Sequence, residues 1–204
     1  MRRIAFALVA ALIVSGTAAA AWKGYPLPQL GLALEFPGEP SIAMANYKTP
    51  LVPSAPVYSY SFKQDNALFI ATIVDLMEKK DNGANILGEA QFNYETMGDV
   101  PNSSAIRVEN PNVAVWGRFL TVDCRSSKIP DQPGLANTAR AWFKNNTGYE
   151  CPDGARLTVS MFFNKGRLYL IQGMNLPNPD DSTIGPEALR FANSVSFPSA
   201  PNGN

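Results

Sequence analysis

Histidine is absent from the 204-residue chain. That absence removes Ser-His-Asp and Cys-His nucleophile activation, imidazole acid–base chemistry and most transition-metal sites together. Charge is scarce and balanced, with 17 Lys and Arg against 17 Asp and Glu. Without a basic field there is no counterion release to drive binding to a phosphate backbone, so nucleic acid is not an expected partner. Neither GxGxxG nor GxxxxGK followed by Ser or Thr occurs, which removes the usual phosphate-cradling loops. Long apolar runs are missing too: the run from residue 4 to 14 covers 11 residues, and a spanning helix needs about 20.

That run lies behind Arg2 and Arg3 and ahead of Ser15, Gly16, Thr17 and the small-residue site Ala18-Ala19-Ala20. Basic, apolar and small residues in that order form a secretory signal, so residues 1–20 are expected to be removed and the mature chain to be periplasmic or secreted. The residues around the arginine pair do not fit twin-arginine export, and no cysteine stands at the cleavage site to take a lipid. Removing Arg2 and Arg3 from the 17 basic residues leaves 15 against 17 acidic, a net charge of −2. No membrane span is expected after cleavage. An exported chain meets an oxidising compartment, and its two cysteines, Cys124 and Cys151, are expected to form a disulfide.

Residues 21–197 are expected to form one α+β domain. Residues 22–30 present a tether or the approach to a first strand. Leu32, Leu34 and Phe36 alternate as a half-buried strand that stops at Pro37-Gly38, and Ile42 and Met44 continue the alternation. Tyr58, Tyr60 and Phe62 share one strand face, and a polar connection leads to 67–76, apolar enough for burial on both faces. The period then becomes helical over 84–97, with Ile86, Leu87, Ala90, Tyr94 and Met97 on one side and Gly98 as the expected C-cap. Strand patterns return at 105–109 and 113–124, with Val113, Val115 and Gly117 facing away from Trp116 and Arg118. Segment 125–154 reads as a polar, disulfide-closed insert. A hairpin follows over 157–174, then a Pro-started helix from Pro186 to Asn193, and 198–204 reads as a disordered tail.

Strands arriving as hairpins, with a central and a C-terminal helix, indicate a mostly antiparallel sheet. The opening Leu34-Glu35-Phe36-Pro37-Gly38-Glu39-Pro40, the central helix, the late hairpin and the closing Leu189-Arg190-Phe191-Ala192-Asn193-Ser194-Val195-Ser196-Phe197 resemble small exported bacterial proteins of the PsbP-like/Mog1-like fold superfamily. The resemblance implies an α/β/α sandwich with a binding or assembly role and supplies no catalytic residues to carry over. The disulfide-closed insert departs from that pattern.

Among groups able to carry chemistry, Asn178, Asp180, Asp181 and Ser182 offer oxygen ligands without EF-hand spacing and fit a turn ahead of a helix. Glu78-Lys79-Lys80-Asp81 is a solvated turn. Ser126-Ser127-Lys128 is the only local trace of a Ser-Lys pair, in a polar setting that keeps the lysine charged. No metal or cofactor is expected. Trp142, Phe143 and Tyr149 stand out among the polar residues of the insert. They present either a contact surface or a satellite core folded back over the sheet, and the surface is the sharper expectation. The leading functional expectation is an exported, noncatalytic domain that binds an envelope protein through a sheet face and this loop. A periplasmic carrier of a small apolar ligand is the alternative, with a hydrolase lacking histidine behind it.

Overall fold

The computed structural model describes residues 21–76, 83–109, 114–124, 133–177 and 185–198. The expected signal 1–20 and residues 199–204 of the tail lie outside the described residues. A short hairpin opens the described chain: β1 (Lys23–Leu27) pairs antiparallel with β2 (Leu32–Phe36) across a single 3-10 turn. Of the stretch expected as a tether or the approach to a first strand, Lys23–Leu27 is itself a strand. Leu32, Leu34 and Phe36 are buried while their neighbours are only partly so, as the two-residue period of a strand requires.

Seven further strands form the main sheet: β3 (Ser41–Tyr47), β4 (Ala55–Gln64), β5 (Ala67–Asp75), β6 (Gly98–Val108), β7 (Val115–Cys124), β8 (Arg156–Asn164) and β9 (Arg167–Asn175). Their order is β3-β4-β5-β9-β8-β7-β6, and every neighbouring pair is antiparallel. The central β5, β8 and β9 are buried on both faces, because both faces are roofed. Tight turns fix the registers. Asn164 pairs with Arg167 across Lys165 and Gly166, whose φ values of 48° and 73° match a turn that follows the twist of its strands.

Among the described residues, three helices complete the fold: α1 (Ala84–Met97), α2 (Pro133–Thr147) and α3 (Pro186–Ala192). The protein is thus α+β on an antiparallel sheet, closed by the Cys124–Cys151 disulfide. α1 and α2 lie on one face; α3 and the β1–β2 hairpin lie on the other. Gly173 lets α3 sit against β9, since a Cβ there would run into the backbone of Ala188. The chain end returns to the hairpin, where Ala33 and Ser196 exchange two backbone hydrogen bonds of 2.8 Å.

Gly98 is the C-cap of α1 as expected, with an extended backbone (φ −168°, ψ −174°). It is glycine because β6 starts there against β7, where a Cβ would meet the Asp123 carbonyl. One expectation is corrected: α2 occupies the middle of the segment read as a polar insert. Its inward face is Ala136, Ala139, Trp142, Phe143, Asn146 and Thr147, a helical spacing that begins on small residues and ends on polar ones.

Candidate functional site

The helix decides where the expected contact residues go. Trp142 is 7% exposed and Phe143 0%, both within the core between α1, α2 and the sheet. The contact-surface expectation for Trp142 and Phe143 is therefore overturned: helical spacing turns both inward. Trp142 meets the Tyr94 ring edge-on at 5.2 Å between centroids and the Tyr47 ring at 6.3 Å. Tyr149 is partly buried against the same core, and its hydroxyl shares a 3.0 Å hydrogen bond with the Ser61 hydroxyl. Cys124 and Cys151 are bonded, with Cα atoms 6.0 Å apart, and hold the end of β7 to the residues after α2. The Asn178–Ser182, Glu78–Asp81 and Ser126–Lys128 groups lie outside the described residues.

Buried polar groups form a second arrangement on this face. Tyr94 donates to Gln172 Oε1 at 2.9 Å, and Gln172 Nε2 donates to Thr72 Oγ1 at 3.0 Å. The three side chains tie α1 through β9 to β5. Burial pushes the Tyr94 phenol well above its ordinary value of 10.0. Burial also raises the Tyr47 phenol; the nearby Glu89 carboxylate pushes the same way, and the Trp142 indole N–H pulls against both. Both phenols are thus neutral across the physiological range. Tyr94 is a hydrogen-bonding and packing group and Tyr47 a packing group, and neither is placed to act as a base near neutral pH.

Two edges of the sheet are left, and they differ. On β3, Ser41 through Met44 are all exposed, Ile42 at 64% and Met44 at 72%. Register places Ile42 beside Tyr60 and Met44 beside Tyr58, so these side chains prolong the apolar layer under α3 and the hairpin out to its rim. From Ser41 to Tyr47 the strand has no charge, no proline and no bulge against β4. The opposite edge, β6, carries Pro101, a register shift between Asp99 and Asn102, and Arg107 paired with Glu109 at 3.1 Å. Proline, bulges and charge are the devices that keep an edge strand from accepting another strand. β6 has all three and β3 none. Beside β6 on β7, Trp116 is 62% exposed, but the Arg107 guanidinium lies over its ring at 5.4 Å.

The sequence shows the alternation of Ile42 and Met44 without showing its outcome. A strand in the middle of a sheet and one at its edge share the same two-residue period. No protein-family model matches the chain, and no curated protein matches it.

Proposed function

We propose that this chain is an exported, noncatalytic binding or assembly domain of the bacterial cell envelope, built on the PsbP-like/Mog1-like sandwich plan, and that it engages protein along β3. The observation that carries the reading is the unguarded β3 edge, with Ile42 and Met44 exposed at the end of a core layer. Strand addition at such an edge takes affinity from backbone hydrogen bonds and specificity from alternate side chains. Helices on one face and a helix with a hairpin on the other suit a sandwich that presents its rims to partners. The carrier alternative needs open volume between sheet and helices, and there Tyr94, Trp142 and Phe143 are in ring-to-ring contact.

A photo-crosslinking residue introduced at Met44 or at Arg107 tests the reading in cells that export the protein. Discrete protein adducts are expected from position 44 and not from 107. Adducts from 107 alone, or none from 44, would remove β3 from its role.

A further inference from the structure

Resting on that reading, we infer that the occupant of β3 is the β3 strand of a second copy of this chain, joined antiparallel about a two-fold axis at Ala43. Three observations point there. First, the strand is free of charge from Ser41 to Tyr47, so two copies meet without like charges opposed. Second, antiparallel pairing about Ala43 is self-consistent on both faces. Ile42 of one copy stands opposite Met44 of the other, and Met44 opposite Ile42, so each exposed apolar side chain gains an apolar neighbour. On the other face Ser41, Ala43 and Ala45 meet, small residues that leave room beneath α2, which overlies β3 in each copy, while the buried Tyr47 stands opposite Glu39 at each end.

The third observation is the charge at the two ends. Glu39 precedes the strand and Lys48 follows it, and both are exposed. An antiparallel pair about Ala43 sets Glu39 of one copy, which also accepts from its own Tyr25 hydroxyl at 3.0 Å, opposite Tyr47 of the other and one residue from Lys48, and does so at both ends. A parallel pair would set acid beside acid and base beside base. About Ala43 the two β3 strands face each other only over residues 41–45, a short ladder beside the about 20 to 30 residues a side of a standard stable interface. The dimer is accordingly reversible and its population follows concentration.

Sedimentation velocity on the oxidised mature chain, from about 1 to about 100 μM, covers the range of a modest association free energy. The mass is expected to rise toward twice that of the chain. Met44→Lys, at an exposed position that leaves the fold intact by circular dichroism, is expected to weaken the dimer by about tenfold or more, a difference sedimentation resolves. Lys48→Glu should weaken it as well, and adding Glu39→Lys to that variant should restore it. This reversal is what antiparallel self-pairing demands and what a general loss of stability cannot produce. A dimer indifferent to Met44→Lys would use another surface and would overturn the inference. A chain that stays monomeric throughout while still giving heterologous adducts at position 44 would overturn the self-pairing and leave the binding reading standing. Monomer with no adduct at 44 would defeat both.

Discussion

The two faces of the sheet are closed by different means. On one, α1 and α2 supply helices of 14 and 15 residues, tied through the sheet by the Tyr94–Gln172–Thr72 hydrogen bonds and anchored covalently at Cys151. On the other, α3 has seven residues, well below the length at which a helix is stable alone. Rings hold it there: Phe191 lies 4.8 Å from Phe36, 5.4 Å from Phe69 and 6.5 Å from Trp22 between centroids. A long helix can share its attachment among polar, apolar and covalent contacts, whereas this short one leans most on one ring, backed by Ala188 against Gly173 and by the ion pair of Arg190 with Glu35 at 2.7 Å.

The largest test of that contrast removes one ring from each roof. Phe143→Ala and Phe191→Ala should each cost about 3 to 5 kcal/mol by urea unfolding, as other buried aromatics do. Their hydrogen-exchange signatures should differ. Loss of Phe191 should release the amides of residues 186–192 first, while loss of Phe143 should lower protection across the molecule. If Phe191→Ala leaves α3 as protected as before, the main-anchor account fails. Next in size, replacing both Cys124 and Cys151 by Ala should cost about 3 to 4 kcal/mol on the chain-entropy estimate, read as a shift in the urea midpoint. Only the α1/α2 side contains that link.

Smaller again is Tyr94→Phe, which leaves Gln172 Oε1 buried without its donor and should cost about 1 to 3 kcal/mol. The same face should govern alkaline unfolding. The folded-state values of Tyr47 and Tyr94 are raised above the 10.0 of the unfolded chain. The folded state therefore holds its phenolic protons longer, and this contribution is complete below about pH 10 and lost as pH rises beyond it. Unfolding scans from pH 9 upward should show a fall that flattens in Tyr47→Phe and Tyr94→Phe, with neither changing the slope near neutrality. At the bottom of the scale, Met44→Lys and Trp116→Ala should shift stability by no more than about 0.5 kcal/mol, because neither side chain belongs to a roof.

Legibility followed the same physics. α1 can be read whole because Ile86, Ala90, Tyr94 and Met97 are large or apolar enough to mark every turn. α2 cannot, because its buried stripe begins with two alanines and closes on Asn146 and Thr147, which bond back to the carbonyls of Trp142 and Phe143. Polar residues satisfied by their own helix bear no hydropathy signal, so Trp142 and Phe143 stood out as if alone. The strands of the main sheet were legible as strands, but their order was not. β5 and β9 are neighbours through pairs such as Ala67 with Asn175, contacts across about half of the chain that no local period reports. The open edge is a property of that order, and it appears only when β3 is placed last in the row.

The covalent bond between Cys124 and Cys151 has a meaning beyond strength. It fixes two points of the chain 6.0 Å apart, 27 positions from each other in sequence. The closure cost of a loop grows only slowly as residues are added. What lies between these points can therefore lengthen, shorten or be exchanged with little demand on the frame, provided that something still packs against Tyr94. The segment holding α2 is in this sense a cassette in a socket, the place where sister proteins would vary most in length and where a foreign helix would be grafted with the sheet left whole.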